Sequence, residues 1–327
     1  MTKNDFCSLD ALLAGVSRLG IAGHVRPDGD CLGSTLAVYN YIKDYYPKTE
    51  VCLFLEEVPP EFTFLRRAEE VITDYPQEPP FDLFVAIDSS DPERLGRALP
   101  YFEAAGRTAC IDHHISNQGF ADLSYLFPES SSASELVFEL IPRERITKEI
   151  AECLYTGIIH DTGVFQYSCT SAKTMAAGGF LMERGIDYPG IVDRTFYTRS
   201  FTQQKLLGLA LGKSTLELGG RVIVSYLTAA DMESCGATRS DTGAIVSQLR
   251  LTKDTDVALF LYETSDPVRG QGWKGSLRVN SEVNVARVAE AFGGGGHIKA
   301  AGFTYYGSLE HCLTDVLKEI GKQLETW

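Results

Sequence analysis

A chain of 327 residues has material for two hydrophobic cores, and 44% apolar with 23% charged residues is the balance of a water-soluble globular protein. Its 30 Lys and Arg face 44 Asp and Glu, a formal net charge of −14 that disfavours the basic tracks on which long nucleic acids bind. No apolar run reaches the roughly 18 residues of a membrane span. No signal-like stretch follows Met1. The eight Cys are scattered without a C-x-x-C pair, as expected of free thiols in a cytoplasmic protein.

In chain order, the spacing of apolar residues predicts a helix over 8–17 and a short apolar segment from Leu19 to Val25. Ser34 to Tyr45 has helical spacing through Leu36, Val38, Tyr39 and Ile42. Continuous apolar runs at Val51 to Leu55, Phe81 to Ile87 and, less purely, Thr108 to Ile111 alternate with helical patterns. That alternation predicts a parallel sheet covered on both faces. Ser132 to Leu140 and Lys148 to Ile159 read as helices. Residues 189–213 read as a partly helical linker, leaving domains at 1–188 and 214–327. Gly212-Lys213-Ser214 imitates the tail of a P-loop. However, Gly208 lies one residue too close and no buried strand precedes it, so it reads as a helix end. Beyond the linker, Arg221 to Leu227 and Asp256 to Tyr262 read as strands around a helical stretch near 240–250. Trp273 to Val279 alternates, Val283 to Phe292 is helical, and a last helix is expected over 308–324.

His24, Asp88 and Asp112 stand at the ends of three apolar runs, where open α/β sheets bind their ligands. His24-x-x-x-Asp28-x-Asp30 places three ligand-type side chains within seven residues, and Pro27 and Gly29 allow a tight turn there. Asp112-His113-His114 follows another strand, and Asp161 ends a helix. Taken singly, each is an ordinary cap, turn or surface residue. As a set, with His297, they hold four of the chain's six histidines. Mixed carboxylate and imidazole donors suit manganese or a related borderline cation, and there are more of them than one ion needs. Two cations roughly 3.5–4 Å apart, bridged by a shared carboxylate, would hold a hydroxide at neutral pH and neutralise charge growing on a phosphoryl group. The run Gly293–Gly296 lets a backbone approach a ligand closely, and a helix starting near His297 would aim its amides at a phosphate.

Five segments carry a family resemblance. GHVRPDGDCLGS (23–34), VAIDSSD (85–91), CIDHHISN (110–117) and GIIHDTGVF (157–165) resemble, in order, the four motifs of DHH phosphoesterases. GGGGHIKAAG (293–302) resembles the glycine-rich signature of their associated C-terminal domain. The resemblance implies an α/β fold with an N-terminal parallel-sheet domain, a smaller C-terminal α/β domain and an active site in the cleft between them. It implies one cation on His24, Asp28 and Asp88 and a second on Asp30, Asp88, His113 and Asp161. Manganese is the expected ion, with magnesium or cobalt as substitutes. His114 would touch the scissile phosphate or move a proton, and Asp112 would orient the histidines. Arg278, Gly293, Gly294, Gly295, Gly296 and His297 would hold substrate. Two departures stand out: Cys31 where the family usually has Ala, and Val279 after Arg278 where Ser is usual.

Compact two-domain chains of this kind are similar to the nano-RNase and pAp-phosphatase group, which cleaves oligoribonucleotides of a few residues and dephosphorylates pAp. Relatives act on pApA, cyclic dinucleotides or polyphosphate. The basic SRKKQ-type motif of manganese pyrophosphatases is missing here, and the further domains with which RecJ-type exonucleases grip long single strands are not expected in 327 residues of this charge. The expected partners are therefore short oligoribonucleotides or small nucleotides such as pAp and pApA, without long nucleic acid or membrane; homodimerisation is left open. A nucleotide sensor that no longer turns over would show a lost ligand, and every implied ligand is in place.

Overall fold

Short apolar runs build the first sheet, because a strand buried on both faces needs no polar alternation. The computed structural model describes residues 2–324 and divides the chain into two compact units that part between Thr198 and Arg199. The first unit comprises β1 (Lys3–Asn4), α1 (Leu9–Leu12), β2 (Arg18–Ala22), α2 (Gly29–Tyr45), β3 (Glu50–Phe54), β4 (Leu83–Ile87), α3 (Leu99–Glu103), β5 (Thr108–Asp112), β6 (Leu123–Leu126), α4 (Ala133–Leu140), α5 (Lys148–Thr162), α6 (Ala172–Met182) and α7 (Tyr188–Val192). The strand order is β1-β6-β5-β4-β2-β3, parallel except for the edge pair of β1 with β6. Leu19, Ile21, Leu83, Val85 and Ile87 face the core shared with α2, α4 and α5. Phe54, Phe84, Ala86 and Cys110 pack on the other face with Phe81, Leu95 and Phe102.

After β2 the chain pairs β3 on one side and β4 on the other. The crevice beyond the carboxyl ends of β2 and β4 is therefore a topological switch point, the usual place for a ligand in such sheets. Two helices differ from expectation. The helix expected over 8–17 covers only Leu9–Leu12, since the chain turns at Gly15 (φ +77°) to enter β2. The helix expected from Ser34 starts at Gly29, because the Asp28 carboxylate caps it by accepting from the amides of Asp30 and Cys31, both at 3.1 Å.

The second unit contains α8 (Phe201–Gly212), β7 (Thr215–Glu217), β8 (Val222–Leu227), α9 (Ala229–Cys235), α10 (Ile245–Leu249), β9 (Val257–Asp266), β10 (Gly270–Val279), α11 (Val285–Glu290), β11 (Gly295–His297), β12 (Ala300–Tyr306) and α12 (Leu309–Leu324). Its sheet runs β11-β12-β10-β9-β8-β7, with only β8 and β9 parallel. Segment 189–213 is not one connector. Its helix α8 buries Leu206, Leu207 and Ala210 against Ile223, Leu227 and Phe260, so it belongs to the second unit's core. Gly212 ends that helix, and Lys213 pairs with Asp231 at 2.6 Å, which is a helix end rather than a phosphate loop. Charge is divided as the units are: 16 Lys and Arg against 30 Asp and Glu before Arg199, and 14 against 14 from there on. Among the described residues no helix is long and apolar enough to cross a membrane. All eight cysteines are free, with Cys31, Cys110, Cys153 and Cys312 buried and Cys7 and Cys169 exposed.

Candidate functional site

Asp88 follows directly on β4 and turns into the left-handed region (φ +57°) while only 2% exposed. Such a backbone is uncommon for a residue with a side chain and persists where the surroundings hold it. Here the Asp88 amide donates to the Ile111 carbonyl at 2.9 Å. The conformation aims the carboxylate beyond the sheet. Its Oδ2 lies 3.5 Å from His24 Nε2, and its Oδ1 lies 3.5 Å from His113 Nε2 and 3.7 Å from His114 Nδ1. Oδ1 has no hydrogen-bond partner, although it is buried. His24, two residues beyond β2, turns Nδ1 to the Val25 carbonyl at 2.9 Å, which leaves Nε2 for Asp88 and for Asp28 Oδ1 at 3.7 Å.

Asp30 is fully buried on the first turn of α2. The amides at the start of α4 hold it: Ala133 N donates to Oδ2 at 2.6 Å and Ser134 N to Oδ1 at 2.9 Å. A helix N-terminus is a natural seat for a carboxylate. The crossing helix α5 reaches this point only because residue 157 is glycine; a Cβ there would stand 1.9 Å from Ser134 Oγ and 2.7 Å from Asp30 Oδ1. α5 in turn carries Asp161, whose Oδ2 lies 3.1 Å from His113 Nε2, with Asp30 Oδ2 at 3.9 Å from the same nitrogen. Asp112, at the end of β5, accepts from His114 Nδ1–H at 2.7 Å through Oδ1 and from Asn117 Nδ2 at 2.7 Å through Oδ2. Its contact is thus with His114, not with both histidines. Asn117 also donates to the Ser89 carbonyl at 3.0 Å, tying the loops after β4 and β5 together.

The electrostatics follow from packing five carboxylates around three imidazoles. Burial disfavours a charged His113, yet Asp161, Asp88 and Asp30 outweigh it and push its pKa up to about 12. His24 is likewise opposed by burial but raised to about 10 by Asp28 and Asp88. Burial also opposes ionisation of Asp88, but His113 and His24 hold it well below the usual carboxylate range. Asp30 is driven well above that range by burial and by Asp88 and Asp161. An unpartnered buried carboxylate oxygen and surplus acids are what cations would satisfy, so these residues fit a metal centre. Ligand-type atoms of Asp30, His113 and Asp161, of Asp88, His113 and His114, and of His24, Cys31 and Asp88 lie within 4.8 Å of one another in each group.

The second-unit candidates form a group of their own. Arg278 on β10 and His297 on β11 both pair with Ala300 of β12, so the three project from one face of the sheet. No helix begins at His297; Gly295–His297 forms an edge strand instead. Gly296 makes this fit possible, with φ +147° and a position where a Cβ would meet the Ala300 carbonyl at 2.5 Å. The amides of Gly293 and Gly294 are not free for a phosphate. They donate to Glu290 O at 3.0 Å and Ala289 O at 2.9 Å, closing α11 in a Schellman turn around Gly293 (φ +70°).

Sequence reasoning missed two positioning elements. The α4 amides under Asp30 were signalled by Ser132 and Glu135, a cap pattern that marks a helix start with free N–H groups. Asn117 carried no such signal, since a lone Asn in a loop is commonplace.

Residues 18–158 match the DHH family, N-terminal domain, and residues 219–326 match the DHHA1 domain. The chain is 30% identical to the bifunctional oligoribonuclease and PAP phosphatase NrnA of Thermus thermophilus, over 93% of this chain and 89% of that protein. It is 26% identical to the protein of the same name from Bacillus subtilis, over 86% and 88% of the two chains. An exopolyphosphatase-related protein from Bacteroides fragilis superposes with a TM-score of 0.87 at 26% identity, covering 96% of this chain and 94% of that one. With two domain matches in the expected order and a relative similar over nearly its whole length, the chain belongs to the DHH family of phosphoesterases.

Proposed function

We propose that this enzyme hydrolyses oligoribonucleotides of two to five residues and removes the 3′-phosphate of pAp, using two divalent cations, manganese first among them. The observation that carries the reading is Asp88, a buried carboxylate whose two oxygens face two different ligand sets, with Oδ1 unpartnered. One cation would rest on His24, Asp28 and Asp88, the other on Asp30, Asp88, His113 and Asp161. When bound, the pair would supply a nucleophile at neutral pH and neutralise charge growing on the phosphoryl group. The α4 amides fix Asp30, and Asp112 with Asn117 fixes the His114 ring so that its Nε2 can meet the scissile phosphate or pass a proton to the leaving oxygen. Arg278, His297 and the edge strand at Gly295 and Gly296 would hold the anionic remainder of the substrate, while Gly293 and Gly294 shape the approach.

The names of the relatives from Thermus thermophilus and Bacillus subtilis support the oligoribonuclease and PAP phosphatase reading. The Bacteroides fragilis structure favours a second reading, hydrolysis of polyphosphate. Product profiles from pAp, pApA, a linear dinucleotide, pyrophosphate and polyphosphate with manganese present separate them. Fastest turnover of the dinucleotide or pAp is expected. Fastest release of phosphate from polyphosphate would favour the second reading, and turnover of none would overturn both.

A further inference from the structure

Cys31 is fully buried in the first turn of α2, and its sulfur lies within 4.8 Å of the ligand-type atoms of His24 and Asp88. The sulfur occupies space that only glycine at position 23 leaves open: a Cβ there would stand 2.2 Å from Cys31 Sγ. Its protein hydrogen bond, to the His24 carbonyl, is long at 3.9 Å. Buried Asp88 belongs to the same group, its Oδ2 facing His24 Nε2 at 3.5 Å while its unpartnered Oδ1 faces His113 and His114. Zinc bonds of about 2.3 Å to sulfur and about 2.0–2.1 Å to nitrogen or oxygen set tetrahedral ligand atoms about 3.5 Å apart. The 3.5 and 3.7 Å separations of His24 Nε2 from Asp88 and Asp28 already match that edge.

We propose that Cys31 is a ligand of the cation on His24, Asp28 and Asp88, making that position a mixed nitrogen, sulfur and oxygen site selective for zinc or cobalt over manganese. The inference rests on the two-cation reading and gives its two positions different preferences. The position on Asp30, Asp88, His113 and Asp161 offers only oxygen and nitrogen donors and keeps the harder ion. On binding, the thiol loses its proton to solvent as the metal–sulfur bond forms and the weak S–H···O contact to His24 is given up. The thiolate thus brings one negative charge into the first position that an alanine could not.

The test uses the full-length protein stripped of metal and reloaded with cobalt to two ions per chain. A near-ultraviolet sulfur-to-cobalt charge-transfer band is expected in the unaltered protein and in the controls Cys169→Ser, whose sulfur donates to the Asp161 carbonyl, and Cys52→Ser, whose sulfur lies near Glu50 and Glu78. Cys31→Ser should lose the band, and its zinc-to-manganese affinity ratio should fall by about 10-fold or more. Two cobalt ions bound without the band, or a band that survives in Cys31→Ser, overturns the Cys31 assignment and leaves the two-cation reading standing. Failure to bind cobalt at all overturns both. Should Cys31→Ser not fold, the cadmium-113 NMR spectrum of the unaltered protein decides. A resonance in the thiolate-ligated range supports the proposal, and resonances only in the oxygen and nitrogen range overturn it.

Discussion

Asp88 owes its position to backbone conformation as well as to its neighbours, and that makes some substitutions cleaner than others. Asn tolerates the left-handed region much as Asp does, so Asp88→Asn removes charge with little backbone penalty. The expected result is loss of at least one bound cation and of about 100-fold or more in turnover, with the fold intact. Metal content near two per chain with near-normal turnover would sink the bridging role. Asn117 tests positioning at one remove. Asn117→Ala frees Asp112 Oδ2 and the Ser89 carbonyl, so His114 loses its fixed orientation. kcat should drop about 10–100-fold with KM nearly unchanged, and an unchanged pH profile and kcat would place Asn117 in the fold alone. His24, Asp88 and Asp112 were legible because each stands where an apolar run stops, a position that parallel-sheet topology turns into a common rim. Asn117 was not, because its importance lies in two partners that only folding brings near.

At the scale of elements, the glycine run shows where sequence patterns stop working. Four residues without side chains have no period, neither 2 nor 3.6, so the run was compatible with a helix start and with the edge strand that forms. The α8 helix was hidden differently: Leu206, Leu207, Leu209 and Leu211 spread around its circumference and left no single apolar stripe to read. Gly296→Ala should therefore act locally. Its Cβ meets the Ala300 carbonyl in a conformation that side chains avoid, which should cost about 1–3 kcal/mol and detach β11. Dinucleotide hydrolysis should slow far more than hydrolysis of a small activated phosphodiester, since remote binding energy is lost only for the larger substrate. Equal slowing of both, measured in parallel, would show that β11 does not serve the substrate.

For the molecule as a whole, each unit has its own cores, so residues 199–327 should fold as an isolated fragment with a cooperative thermal transition. A fragment starting at Ser214 lacks Leu206 and Leu207, each worth about 1.5–3 kcal/mol of burial, and should be less stable by several kcal/mol; equal melting of the two fragments would return α8 to the linker. Acid stability should depend on Asp10. Burial favours its neutral form, but hydrogen bonds from Tyr41 and Tyr46 and the charge of Arg145 outweigh this and hold its pKa below the ordinary value. A depressed carboxylate contributes stability above its unfolded pKa and loses it as pH falls through the folded one. Asp10→Asn should thus flatten the loss of stability as pH falls below about 4, an effect of about 1 kcal/mol at most because Asp10 is 36% exposed. The apparent KM for a dinucleotide should show a log–log salt slope of only about 1–2, as few phosphates are held; a steep slope with equal digestion of a 20-mer would indicate a strand-tracking enzyme. The excess of acids over bases lies entirely within residues 1–198, in the unit that carries the carboxylate cage. On the proposed two-cation reading, such a unit would repel an anionic substrate when stripped and welcome it when charged with cations, which would couple the two ligands thermodynamically. Coupling of this kind is reciprocal: whatever factor the cations add to nucleotide affinity, a bound nucleotide must add to cation affinity. A non-hydrolysable dinucleotide should slow metal loss to a chelator, which means that under metal scarcity the enzyme best retains its ions while it has work to do.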